Sequence, residues 1–167
     1  MGPASAGATV TNNKTNISAG AARWITAEFE ESTDTEEIPY VTFKANEVQT
    51  FAMSRAVETL EYSVNGGVWK ELGTNTVTFG GNYGNLQIRG KSLIGTATDI
   101  SSRSTIQFGN NTKVACSGDI RTLIDYDYYE TVSTENARFI DLFYNCEVLI
   151  KAPQLPATVL AESCYNS

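Results

Sequence analysis

The stretch Leu60–Leu72, LEYSVNGGVWKEL, decides the fold. Leu60, Tyr62 and Val64 alternate with polar neighbours at period two, the repeat that sends successive side chains to opposite faces of a strand. Asn65-Gly66-Gly67 follows, and a pair of residues able to take positive φ is what a tight hairpin needs. Trp69 and Leu72 then begin a return strand. The same period extends upstream through Val41 and Phe43, then Phe51 and Met53. Downstream it runs through Val77 and Phe79, Leu86 and Ile88, Ile106 and Phe108, and Val114 and Cys116. Turn-forming runs, GGNYGN at 80–85 and GNN at 109–111, fall between these pairs. About seven or eight short strands so punctuated predict a mainly β domain, an antiparallel Ig-like β-sandwich, over residues 38–118.

Composition agrees with this reading. A chain of 167 residues with 41% hydrophobic content is long enough for one well-buried core, and 19% charge with 13 glycines leans toward β-structure rich in turns. The net charge of −7 is local: Glu28, Glu30, Glu31, Asp34, Glu36 and Glu37 all lie in EFEESTDTEE, residues 28–37. The rest of the chain is nearly neutral and holds no basic cluster, so no phosphate-neutralising surface is expected and nucleic acid is set aside. Residues 1–22 are mostly small and polar, Trp24, Ile25 and Phe29 form a short apolar segment, and the acidic run reads as a solvated linker. Residues 1–37 are therefore expected to be an extended N-terminal arm or anchor.

The chain has no histidine. Ser-His and Cys-His nucleophile pairs, His-ligated zinc and imidazole acid/base relays are all excluded by that count. Carboxylate-only chemistry, as in glycoside cleavage, passes the filter. Cys116, Cys146 and Cys164 form no C-x-x-C pair and read as buried free thiols. The opening residues lack the basic-then-apolar order of a secretory signal, and no stretch reaches the length of a membrane-spanning helix.

Four motifs invite functional readings. RGKS at 89–92 lacks the first glycine of a phosphate loop, since Asn85 stands in its place, and its surroundings alternate like a strand. SVNGGVW at 63–69 resembles the aspartate box of sialidase hairpins, one residue short and with Asn65 for Asp, and even a full box is a turn device. Asp125, Asp127 and Glu130 in DYDYYE offer oxygen donors for calcium but no glycine to wrap a loop around an ion, so a solvated acidic turn is expected. The neighbouring Tyr126, Tyr128 and Tyr129 are read either as an adhesive aromatic contact patch or as packing at a domain edge. Asn13, Asn16 and Asn110 open glycosylation sequons, at a frequency that chance explains in a chain so rich in Asn, Ser and Thr.

After Gly118 the pattern changes. STENARFIDLFYNC, residues 133–146, places Phe139, Leu142, Phe143 and Cys146 at i, i+3, i+4, i+7 behind Thr134 and Glu135, and the spacing predicts one amphipathic helix. EVLIKAP predicts a short strand, Pro153 and Pro156 close it, and TVLAESCY at 158–165 reads as the start of another helix. Aligning Arg138 with Cys164 and Phe139 with Tyr165, a step of 26 positions, suggests that a second unit opens there. One such unit cannot bury its apolar face alone, whereas stacked copies can.

These last residues resemble the BspA-like leucine-rich repeat proteins, whose repeats read approximately C-Y-x-x-M-F-x-x-C-x-x-L-x-x-A-P-x-L-P-A-x-x-L-x-x-x-C-Y. Leu142, Phe143, Cys146, Leu149, Ala152, Pro153, Leu155, Pro156, Ala157, Leu160, Cys164 and Tyr165 match; Arg138 departs from the usual Cys, as a first, capping repeat would. The β-rich stretch from Ile38 is also similar to the domain that precedes such repeats in proteins of gut bacteria and their phages. The resemblance implies a small α/β leucine-rich-repeat cap over 119–167, with a repeat core of Phe139, Leu142, Phe143, Cys146, Leu149, Leu155, Leu160 and Cys164. It implies a non-enzymatic protein without catalytic residues, metal or cofactor, the anchoring base of a surface-displayed fibre. The leading expectation is a phage virion protein, a head or tail fibre or decoration, assembled as a homo-oligomer, with a trimer as the guess. Its partner would be a virion or cell-surface protein or a glycan. A bacterial cell-surface adhesin is the alternative, and a carboxylate-based glycosidase, for which no paired-carboxylate motif speaks, is the remote one.

Overall fold

The structure, a computed structural model, describes residues 39–156. The arm expected over residues 1–37, Leu160, Cys164 and the second helix start lie outside the described residues. Nine strands are present: β1 (Val41–Ala45), β2 (Gln49–Met53), β3 (Glu61–Val64), β4 (Lys70–Glu71), β5 (Val77–Phe79), β6 (Leu86–Arg89), β7 (Ile106–Phe108), β8 (Val114–Ser117) and β9 (Leu149–Lys151). Six of them form a sheet in the order β4-β3-β6-β1-β8-β9, and β5-β2-β7 form a second. Every pairing among β1–β8 is antiparallel. The expectation of a mainly β chain with antiparallel sheets holds.

Period two explains which way each strand faces. Val41, Phe43, Leu86, Ile88, Val114 and Cys116 of the larger sheet are all buried, as are Phe51, Met53, Val77, Phe79 and Ile106 of the smaller. Phe43 meets Phe51 at 5.3 Å between ring centroids, and Phe108 lies 6.1 Å from Phe43 and 6.0 Å from Phe51 in edge-on geometry. Such ring pairs add about 0.5–1.5 kcal/mol each beyond the area they bury. The hairpin at 60–72 forms as expected, with Asn65 at φ 53° and Gly66 at φ 70°, and the Gly67 N–H donating to the Val64 carbonyl at 3.1 Å. The longest of the buried polar side chains is Gln49, whose amide donates to the Asn110 and Thr112 carbonyls and accepts from the Thr50 and Asn110 N–H groups. Fully satisfied, it ties β2 to the loop before β8 instead of weakening the core.

Two expectations are corrected here. Among the described residues no α-helix forms; the only helical pieces are single 3-10 turns, Gly81–Tyr83 and Ile120–Leu123. Residues 133–146 are a succession of tight turns. Asp141 and Asn145 stand in the left-handed region at φ 53° and 56°, each the third residue of a turn closed by Leu142 N–H to Phe139 O and by Cys146 N–H to Phe143 O, both 3.1 Å. A left-handed residue every fourth position ends any α-helical ladder, and Asp and Asn are the non-glycine residues that accept that conformation most readily. The apolar spacing i, i+3, i+4, i+7 is therefore produced by four-residue turns, not by 3.6-residue ones. Thr134 is not a helix cap: its carbonyl accepts from Ala137 N–H in another turn.

This ribbon does not stand apart from the sheets. Ala137, Phe139 and Leu142 are buried in the same hydrophobic cluster as Phe43, Phe51 and Ile106, and Ile106 N–H donates to the Leu142 carbonyl at 2.9 Å. Gly95 shows how close the approach is: a Cβ there would lie 2.2 Å from the Arg138 carbonyl oxygen, and its φ of 79° is itself a glycine conformation. The expected strand at 147–153 forms as β9, which pairs parallel to β8.

Candidate recognition surface

The tyrosines singled out from the sequence lie beside residues that sequence reasoning did not connect with them. Arg89 ends β6 opposite Glu61 of β3, and this register gives an ion pair at 3.0 Å. The same guanidinium lies 4.0 Å from the centroid of the Trp69 ring and 4.1 Å from that of Tyr126. Trp69 in turn meets Tyr40 at 5.7 Å, and the Lys91 ammonium sits 4.7 Å from the far end of the series, the Tyr126 ring. Rings and cations thus follow one another in a stack: Tyr40 and Trp69, then Arg89, Tyr126 and Lys91. A cation over an aromatic face contributes about 0.5–1 kcal/mol at an exposed site.

Lys91 explains the acidic turn. Its ammonium donates to Asp125 at 3.0 Å and also to Asp127, so the oxygens read as candidate calcium ligands hold a lysine. Those two hydrogen bonds, Asp127's first, raise the lysine above its ordinary range. Burial pushes the Asp125 carboxyl up, but the Lys91 hydrogen bond and the Asp127 N–H outweigh it and leave the group below its usual value. A carboxyl held ionised in this way is not the raised-pKa acid that glycoside cleavage requires. Among the described residues no cluster of three or more Asp, Glu or Cys is arranged for a metal ion.

The turn itself is fixed from behind. Asp119 accepts from Arg121 N–H and pairs with its guanidinium at 2.7 Å, while Arg121 also donates to the Glu130 carbonyl at 2.9 Å. Tyr126 is half-buried beneath the two cations, Tyr129 is half-buried, and Tyr128 is 68% exposed. Only the last of the three presents most of its ring to a partner. RGKS likewise serves the fold: Gly90 N–H donates to Thr122 O and Ser92 N–H to Leu123 O, so these amides are not turned toward a phosphate.

The expected repeat core is divided. Phe139 and Leu142 are buried; Phe143, Cys146 and Leu149 are half-buried against the same cluster; Leu155 is 44% exposed. Burial pushes the Cys146 thiol up to about 11 and that of Cys116 up to about 12, which marks both as inert packing residues. Tyr40, Trp69, Arg89 and Lys91 escaped the sequence reading because nothing local joins them. Their meeting depends on β3 pairing with β6 and on the 3-10 turn at 120–123 lying beneath Gly90.

Comparisons with protein-family models, curated proteins and solved structures give no match.

Proposed function

We propose that this protein is a non-enzymatic structural and recognition module, the anchoring base on which a leucine-rich-repeat array is mounted, displayed on a phage virion. In this reading the two sheets and their aromatic interior are an Ig-like sandwich, and residues 119–156 lead into the array.

The observation that carries it is a change in pairing sense. β1–β8 pair antiparallel throughout, yet each described pairing of the segment after residue 137 is parallel: Arg138 with Gly95, β9 with β8, and Gln154 with Asp119. A chain that returns in the same direction at each pass is winding, and winding is how repeat arrays add one strand per unit. β9 is the edge strand of its sheet among the described residues, with Ile150 67% exposed on it. A following strand parallel to β9 would satisfy that edge and cover that side chain, which is the management an open edge needs.

The test is to join one and then two further copies of residues 138–163 in register at position 164. The expected result is a denaturation midpoint that rises with each copy, as nearest-neighbour stacking requires. Added copies that leave the midpoint unchanged and are digested by protease while the parent domain survives would overturn the array. Assembly on a virion predicts a homo-oligomer, with three chains as the expected number, and a monomer in sedimentation at micromolar concentration would count against the fibre. Capsid and portal genes beside its gene would favour the virion, and a cell-envelope context the adhesin.

A further inference from the structure

On the opposite face of the smaller sheet, the strands that bury Phe51, Met53 and Ile106 turn small or polar side chains outward. Thr50, Ala52 and Gln107 form the floor of a groove of about 870 Å³, and the turn ribbon from Tyr144 to Glu147 forms its wall. The size suits a ligand of several rings. Ala52 pairs with Gln107 across β2 and β7, so the hollow exists because a methyl group stands where a larger residue would fill it.

Its chemistry is narrow. Thr50, Thr76, Thr105, Gln107 and Asn111 supply hydroxyl and amide groups beside the half-buried Phe108 and Val148, and Tyr144 is the one large exposed ring in the lining. Tyr144 stands half-exposed over it, and its ring pairs with no other ring among the described residues. Thr105 and Tyr144 also line a second, neighbouring hollow of about 430 Å³ that holds Arg55 and Arg103, so the two share a side. Arg103 is paired with Asp141 at 3.1 Å. The Arg55 guanidinium has no hydrogen-bond or ion-pair partner among the described residues; only its backbone is engaged, with Ser104. Glu147 lines the groove but not the hollow that holds Arg55.

We infer that this groove binds an oligosaccharide that carries a carboxylate sugar, with Tyr144 under a ring face, the hydroxyl and amide floor on its hydroxyls, and Arg55 on the carboxylate. An aromatic ring offers an apolar face for C–H groups, while charge-assisted bonds from a guanidinium select a carboxylate over a hydroxyl. A metal has no ligand cluster here, and nucleic acid would need more than one unpaired cation. The inference goes beyond the array and does not require it.

The probes are oligosaccharides of galacturonate, hyaluronan and α2,8-linked polysialic acid, with carboxyl-reduced galacturonate as the neutral control, measured by calorimetry on the full chain. At least one acidic probe is expected to bind, and more tightly than the neutral control. Tyr144→Ala should weaken that binding about tenfold, the loss of one aromatic contact. Arg55→Gln should bring the acidic probe down to the affinity of the neutral one, and Tyr83→Ala, at an exposed ring that lines neither hollow, should change neither. Circular dichroism confirms that each variant is folded. Absence of binding by every acidic probe at about 1 mM overturns the inference. So does binding indifferent to Tyr144→Ala, or binding equal for acidic and neutral probes. Repeat addition reports on the array alone, so either reading can fail without the other.

Discussion

Val41–Ser117 and Asp119–Gln154 bury residues in one core, yet they arrive there by different local rules. In the first region β2, β5, β6 and β8 alternate and bury the side chains predicted to point inward, while Tyr62 and Val64 of β3 are half-buried against the same core. In the second the apolar residues are equally buried at Phe139 and Leu142, but the backbone that carries them is a chain of turns. Burial is set by where an apolar group stands relative to the sheets, and several backbones can put it there. An apolar pattern therefore reports the buried face more reliably than the element that presents it.

The sharing of the core is the feature to attack first. Leu142→Ala, at a residue only 2% exposed, should lower stability by about 2–5 kcal/mol, as cavity-forming truncations do. Because Leu142 packs with β7, the loss should appear in one denaturant transition seen alike by tryptophan fluorescence and far-UV circular dichroism. Two separate transitions, with the sheets unaffected, would break the comparison.

A smaller effect distinguishes turn from helix by its sign. Asn145→Ala places a Cβ residue with no local hydrogen bond in the left-handed region and should cost about 1 kcal/mol, whereas Asn145→Gly should be neutral or slightly stabilising. In a helix the order is reversed, since alanine is favoured over glycine by about 1 kcal/mol. Urea midpoints of the two variants decide between the backbones.

The smallest effect joins the regions through their thiols. Cys116 and Cys146 ionise near 9.0 when unfolded, but burial moves them to about 12 and about 11 in the folded chain. The folded state then holds protons that the unfolded state has lost, so their contribution is intact below pH 9.0 and declines as pH rises toward 11 and 12. Both thiols should resist iodoacetamide at pH 8 in the native protein and react once it is unfolded. Rapid native alkylation of either would show that the core is open there.

Within the second region, Asp141 and Asn145 held the correcting signal all along. Two residues of the kind that accepts left-handed φ, four apart, fit successive turns, and the helical reading gave them no weight beside Phe139, Leu142, Phe143 and Cys146. The acidic turn shows the same limit from the other side. Asp125 and Asp127 were legible as a cluster, but the lysine that neutralises them is 34 and 36 residues away in the chain. Likewise the groove under Tyr144 needs β7 beside β2 and the ribbon beside β7, and no local spacing encodes either.

What the sequence determined by itself was the set of strands, the inward face of each and the tight turn at Asn65-Gly66. Alternation and positive φ are properties of a residue and its immediate neighbours. Tertiary structure alone decided which strands meet, that the turns of residues 133–146 pack into the core of the sheets, and that Arg89 lies between Trp69 and Tyr126. Those outcomes depend on contacts between distant parts of the chain, whose free energy exists only once the sheets have closed around a common core.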